Sequence, residues 1–252
     1  MEDVLKSVKD YQAADNALSD KVILVTGAGD GIGREAALSF ARHGATVILL
    51  GRTVKKLESV YDQIVAAGGA EPAIVPLDLK GATMEHYQGL NATIMDQFGR
   101  LDGLLHNASL LGILSPFTHI EKDDWDDVMQ VNVHAEFYLT QALMPALMAA
   151  PKPSLVFTSS GVGRKGRAYW GPYAVSKFAT EGLMQVIADE YENTGLRCNA
   201  INPGATRTKM RSKAYPAEDP MSLKTPAEIM PTYLYLMSDD SFGTTGQSFD
   251  AQ

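Results

Sequence analysis

Tyr173 and Lys177 stand four positions apart in the stretch YAVSK, behind a turn-like RAYWGP and at the head of a helical run. Four residues make about one helical turn, so the two side chains share a face. A phenol has an unperturbed pKa of about 10, too high to exchange protons readily near neutrality. An ammonium within about 4–6 Å favours the phenolate, and a tenfold gain in acidity corresponds to about 1.4 kcal/mol. Making the Tyr173 phenol about a thousandfold more acidic needs about 4 kcal/mol, which a partly buried Lys177 can supply. At the mouth of a nucleotide pocket the pair is proton-transfer machinery; on an open helix face it is an ordinary surface pair. Pro172 suits the first turn of this helix, where its missing N–H has no partner to lose.

A second constellation, VILVTGAGDGIG, places Gly27, Gly29, Gly31 and Gly33 between a strand and a helix. Glycines there allow a sharp turn and a close approach to a diphosphate held at the helix N-terminus. The spacing is not G-x-G-x-x-G, since position 32 is Ile, and no Gly-Lys-Ser/Thr follows to make a P-loop. A bare glycine-rich connection is the bland alternative; the strand before and the amphipathic helix after favour a nucleotide. An NAD site usually carries an acid at the end of the second strand, about 20 residues on. This chain reads ILLGRT there, with Gly51 and Arg52 and no Asp or Glu before Glu58. Arg52 can take a 2′-phosphate through a forked, charge-assisted contact, helped by Thr53 and Lys55 or Lys56. That favours NADP(H) over NAD(H). Asp30, inside the turn, counts against it, because a carboxylate repels a phosphate.

Both constellations need a scaffold. Short β-branched runs at 21–27, 45–51, 73–78, 101–108, 154–160 and 196–204 read as strands. Helical patterns cover 31–43, 57–64, 84–98, 123–148 and 173–192. The strands are apolar nearly throughout, as parallel strands covered on both faces must be. Repeated βα units of this kind imply an α/β fold: a single doubly wound (Rossmann) domain, its mostly parallel sheet flanked by helices on both faces. No repeat or linker divides the chain, so residues 21–252 read as a single domain behind an N-terminal extension, 1–20.

Composition narrows the function classes. Apolar residues make up 45% and charged ones 21%, the balance of a globular protein rather than a disordered one. A net charge of −8 works against a nucleic-acid surface but leaves room for local cations at one phosphate. Cys198, the single cysteine, sits in a strand-like run and reads as an inert core thiol. The five histidines show no metal-ligand spacing, so no metal site is expected. The polar N-terminus lacks the apolar core of a signal peptide, and no apolar stretch approaches the roughly 18 residues of a membrane span, so a cytoplasmic protein is expected.

Together the motifs resemble those of the short-chain dehydrogenase/reductase family, from Lys21 to Asp250. TGAGDGIG is similar to the family's T-G-x(3)-G-x-G turn at Thr26, Gly27, Gly31 and Gly33. HNA (106–108) resembles its Asn-Asn-Ala-Gly element, SS…YAVSK its catalytic stretch and NPG (202–204) its Pro-Gly strand end. The resemblance implies a catalytic set of Asn132, Ser160, Tyr173 and Lys177. Ser160 lies thirteen positions before Tyr173, where the family keeps its serine, with Ser159 structural. Asn132, in MQVNVH, takes the place of an Asn that holds a water chain to the lysine.

The resemblance also implies a cofactor cradle. Gly27, Asp30, Gly31, Ile32 and Gly33 form its turn, with Arg52 at the 2′-phosphate and Asp78 and Leu79 at the adenine. Asn107 and Ala108 lie near the adenosine ribose, and Tyr173 and Lys177 near the nicotinamide ribose. Pro203, Gly204, Thr206 and Thr208 complete it, Thr208 meeting the carboxamide. His106 and Ser109 depart from the family's Asn and Gly and are expected on the nucleotide side. The implied activity is NADP(H)-dependent interconversion of a small carbonyl compound and its alcohol, in a homodimer or homotetramer that binds neither nucleic acid nor membrane. The rival reading is a catalytically silent NAD(P)-binding sensor or interaction protein.

Three further stretches bear on the substrate. Leu110, Leu111, Trp170 and Met210 are expected around the reactive centre. GRKGR (163–167) reads as a solvated loop rather than an anion-binding lip. The polar, Pro-containing segment 205–226 reads as a substrate lid.

Overall fold

Continuous apolar runs become the centre of the sheet. VILVT of β1 (Val22–Thr26) and SLVFT of β5 (Ser154–Thr158) are buried at every position. In this computed structural model, which describes residues 8–252, they stand among seven strands. The others are β2 (Thr46–Gly51), β3 (Ala73–Pro76), β4 (Gly103–His106), β6 (Arg197–Asn202) and β7 (Ser248–Asp250). The order is β3-β2-β1-β4-β5-β6-β7, every neighbouring pair parallel.

Strand residues alternate between two cores, as a period of two requires. Ile23, Val25, Val47 and Leu49 pack on one face, beneath α1 (Gly31–Arg42) and α2 (Val54–Ala66). Leu24, Ile48, Leu104 and Leu155 pack on the other, beneath α3 (Met84–Phe98), α5 (Ala135–Met148) and α6 (Gly171–Glu190). The chain order reverses between β1 and β4, and a doubly wound sheet opens its ligand crevice at that point. The glycine turn leaves β1 and the HNA segment leaves β4, so both reach the crevice.

The expected 123–148 helix forms as one run in three parts: α4 (Lys122–Met129), a π-helical turn (Gln130–His134) and α5. A short helix, α7 (Lys209–Ala214), forms within the segment 205–226. One further helix was not expected. α8 (Met230–Met237), MPTYLYLM, is buried on nearly all sides and so shows none of the amphipathic period that reveals a surface helix. Of the expected extension, residues 1–7 lie outside the described residues. Residues 8–20 pack on the domain: Val8 and Leu18 are buried, and the Tyr11 hydroxyl donates to Asp240 at 2.6 Å. Among the described residues no helix is long and apolar enough to cross a membrane.

Candidate active site

The crevice is framed by backbone brought unusually close. Thr26, the last residue of β1, accepts hydrogen bonds through its hydroxyl from the backbone N–H groups of Asn107 (2.9 Å) and Ala108 (3.0 Å). This ties the ends of β1 and β4 together. Gly27 has φ +68°, and a Cβ there would stand 3.1 Å from the Ala108 Cα. At Gly33 a Cβ would fall 2.4 Å from both the Gly27 carbonyl oxygen and Asn107 Nδ2. Gly33 therefore lets α1 close against the turn that precedes it. Gly33→Ala is expected to cost about 1–3 kcal/mol through this overpacking, with Tm falling about 2–4 °C per kcal/mol in a chain of this size. Thermal unfolding checks it, and an unaltered Tm would mean that the turn is pliable.

Asp30 caps α1, accepting from the Gly31 N–H at 2.9 Å, and pairs with Lys56 at 2.6 Å and Lys209 at 2.9 Å. Burial acts to raise its pKa, but the hydrogen bonds from both lysines outweigh this and bring it down to about 2. The expected repulsion of a phosphate is thus answered by two cations brought to the same carboxylate.

A cleft of about 280 Å³ runs from this turn to the middle of the sheet, lined among others by Gly27, Asp30, Gly31, Ile32, Lys177 and Thr208. Asn107, Ala108, Tyr173 and Pro203 line it too. It adjoins a smaller cavity of about 100 Å³ where Ser160, Tyr173, Gly204, Thr206 and Thr208 meet Leu111, Trp170 and Met210. Tyr173 lines both spaces, with Ser160 in the second. Tyr173 and Lys177 share a face of α6 and are 7% and 1% exposed, so the surface-pair alternative does not apply.

The electrostatics depart from the expectation drawn from spacing alone. Burial pushes the Tyr173 phenol up to about 12; the Ser160 hydroxyl opposes this and the Glu136 charge adds to it. Burial also lowers the pKa of Lys177, whose ammonium donates to the Thr158 carbonyl at 2.8 Å and lies 5.9 Å from the Tyr173 ring centroid. The Glu136 charge on α5 opposes this and acts to raise it. Its Oε1 lies 3.7 Å from Lys177 Nζ, and both side chains are almost wholly buried. Glu136 accepts from the Thr180 hydroxyl at 2.8 Å through Oε2, while Oε1 has no hydrogen-bond partner. Burial raises its pKa to about 7, against the pull of the Lys177 charge. Much of the lysine's field therefore acts on Glu136 rather than on the phenol. The signal was present in HAEFYLTQALM, an acid inside an apolar helix, because a buried carboxylate needs a partner.

Asn132 lies in the π-helical turn and is wholly buried. Its Nδ2 donates to the Leu110 carbonyl (2.8 Å) and the Ser176 hydroxyl (3.0 Å), and its Oδ1 accepts from the Leu110 N–H (2.7 Å). The carboxamide thus clamps the loop after β4 to the residue beside Lys177 and makes no hydrogen bond to Lys177 itself. Leu110, expected at the reactive centre, instead packs its side chain on the core beneath α5 and α6.

Other expected cofactor residues lie farther out. Arg52 is exposed between β2 and α2 and makes no hydrogen bond or ion pair among the described residues. Asp78 is exposed and accepts from the Lys80 N–H at 3.1 Å; the Leu79 side chain is buried in the core. Ser109 lines the cleft. His106 does not face the nucleotide side as expected: its ring stacks on Phe157 at 4.8 Å and its Nε2 meets the Thr140 hydroxyl at 2.8 Å. Burial, with the nearby Lys177 charge, lowers its pKa to about 3 and keeps it neutral. Cys198 is fully buried, in keeping with a core thiol.

Comparison with known proteins agrees with this geometry. Residues 21–219 match the family model described as short chain dehydrogenase. The oxidoreductase YciK of Escherichia coli K12, itself termed uncharacterized, is 58% identical over 242 residues, 96% of each chain. A short chain dehydrogenase from Shigella flexneri 2a, solved in complex with NADP, superposes with a TM-score of 0.93 at 58% identity, covering 95% of this chain and all of that one. Its counterpart from E. coli CFT073, solved with NADPH, gives 0.93 and 58% over 95% and 99%. With the family model spanning most of the chain and a relative this similar along its whole length, the protein is a member of the short-chain dehydrogenase/reductase family.

Proposed function

We propose that this oxidoreductase uses NADP(H) to interconvert a carbonyl compound and its alcohol, with Tyr173 as the general acid/base. The observation that carries the reading is the meeting, at one crevice, of the glycine turn with a buried Tyr173–Lys177 pair and Ser160. The cleft fits the cofactor: Gly27 and Gly31, in left-handed backbone at φ +68° and +54°, bring the turn to its wall without side chains, and the N-terminus of α1 faces it. Gly27, Asp30, Gly31, Ile32, Gly33, Asn107 and Ala108 would hold the diphosphate and adenosine side, with Asp78 and Leu79 at the adenine. Pro203, Gly204, Thr206 and Thr208 would hold the nicotinamide side, with Lys177 on its ribose. When bound, the nicotinamide supplies a hydride to the carbonyl carbon, or accepts one from the alcohol.

In reduction the Tyr173 hydroxyl donates its proton to the carbonyl oxygen as the new C–H bond forms, so the product is a neutral alcohol. A phenol pushed up to about 12 is fully protonated at neutral pH and ready for that role. Ser160 donates a hydrogen bond to the same oxygen and polarises it. Asn132 holds the loop and α6 in register and completes the set that relays protons to Lys177. The segment 205–226, with α7, lies against the substrate side through Met210 and Arg211 and is inferred to act as a lid. Exposed apolar side chains on α5 and α6, Phe137, Tyr138, Val175, Phe178 and Val186, support a homodimer or homotetramer. Cytoplasmic residence accords with the single, buried cysteine.

The NADP preference rests on Arg52, exposed at the end of β2 and unpaired among the described residues, and on the NADP and NADPH complexes of the two 58%-identical relatives. Arg52→Ala is expected to weaken NADPH binding about 10- to 100-fold while NADH binding changes little. Equal losses for both cofactors would remove Arg52 from the 2′-phosphate. NADPH consumption across a panel of ketones and aldehydes tests the activity. Tight NADPH binding with turnover of none would favour the silent sensor.

A further inference from the structure

GRKGR is exposed from Arg164 to Arg167, as expected of a solvated loop, but its cations are not equivalent. Arg164 is engaged structurally, pairing with Asp250 at 2.8 Å and Glu181 at 3.5 Å. Lys165 and Arg167 instead line a cavity of about 520 Å³ with Ser160, Trp170, Arg211 and Tyr215. Ser160, Trp170 and Arg211 also line the smaller cavity that holds Tyr173, so the two spaces adjoin at Ser160.

The charges in this space are unbalanced. Arg211 is answered by Glu218, through two bonds of 2.6 Å, and lies 3.8 Å over the Tyr215 ring. Arg167 has no carboxylate partner among the described residues. Its guanidinium donates to the Tyr215 hydroxyl at 2.5 Å and lies within 6 Å of two ring centroids, 5.9 Å for Trp170 and 5.6 Å for Tyr215. Lys165 makes no ion pair there either. In a chain of net charge −8, the cations of the opposite end, Lys56 and Lys209, are both tied to Asp30. A guanidinium placed by aromatic rings and left without an anion is preorganised for a planar, two-oxygen acceptor.

We propose that Arg167 and Lys165 form an anion-binding lip for the substrate, which is a carboxylate-bearing carbonyl compound or the matching hydroxy acid. Its carboxylate lies against Arg167, its hydrocarbon part against Trp170, and its carbonyl at Ser160 and Tyr173. This rests on the redox reading above and adds the substrate class to it.

The test uses a homologous series of oxo acids and their neutral amides. Each is titrated into the NADPH-loaded protein, with binding read from nicotinamide fluorescence and turnover from NADPH consumption. The wild type is expected to favour some acid over its amide about tenfold or more in both affinity and kcat/KM, with added salt eroding the preference. In Arg167→Ala the acid-to-amide ratio is expected to fall toward one through KM rather than kcat. Equal use of acids and amides, or an Arg167→Ala loss common to both, overturns the lip and leaves the redox reading standing. Preferential acid binding without turnover of any compound supports the lip and overturns the redox reading. Binding of neither form overturns the lip.

Discussion

Replacing Tyr173 with Phe is expected to lower kcat for carbonyl reduction by about 10²–10⁴-fold, the range a positioned general acid contributes. That corresponds to about 3–5 kcal/mol of transition-state stabilisation. The ring stays in place, so NADPH affinity is expected to remain that of the wild type. Folding should also tolerate the change, because Tyr173 lines both cavities and Ser160 is itself open to the second. Activity above a few per cent of wild type, with normal cofactor binding, would take the phenol out of the mechanism.

The second large effect is expected at Glu136. Its carboxylate faces Lys177 and Thr180 from across the core; Glu181 on the same helix is held by Arg164, and His106 on β4 is neutral. The negative charge of Glu136 raises the Tyr173 pKa and that of Lys177 alike. In Glu136→Gln the phenolate is therefore easier to form. The acid limb of alcohol oxidation, which needs the phenolate, should move down by about 0.5–1 in pH.

Stability supplies an independent readout. Burial lifts the Glu136 pKa from 4.5 to about 7, so the native state holds a proton that the unfolded chain has released in this window. The corresponding stability is fully present below about pH 4.5 and is lost as pH rises through about 7. The Tm difference, wild type minus Glu136→Gln, should fall across that window. An acid limb and a Tm difference that both ignore the substitution would show that Glu136 is a passive filler.

These two residues mark where the sequence was informative and where it was not. The strands were legible because nothing but a doubly covered parallel sheet needs such continuous apolar runs. The helix at Met84–Phe98 was legible because its ends and its period agree. α8 was not, since a helix buried on all sides has no periodic face. In the site, Tyr173 and Lys177 follow from spacing along one helix turn, which is local geometry, whereas Ser160 was legible only through its place in the family's motif. The Glu136–Lys177 pair joins α5 to α6 and depends on how two helices pack, which no spacing encodes. The same limit applies to His106: the pleat of β4 aims it at Phe157 and Thr140 rather than at the crevice. Likewise GRKGR divides between a structural arginine and two cavity cations only once β7 and the Tyr215 ring are in place.

The roles proposed for Tyr173, Ser160 and Lys177 require a direct hydride passage between the pyridine ring and a carbonyl carbon held at Ser160 and Tyr173. NADPH deuterated at C4, incubated with the protein and an accepted oxo acid or ketone, tests it by mass spectrometry of the product. A single deuterium on the carbinol carbon, drawn from one face of the labelled ring, is the predicted result. An alcohol formed without label from either face, or labelled NADPH that binds and returns unaltered beside every carbonyl compound offered, would contradict it.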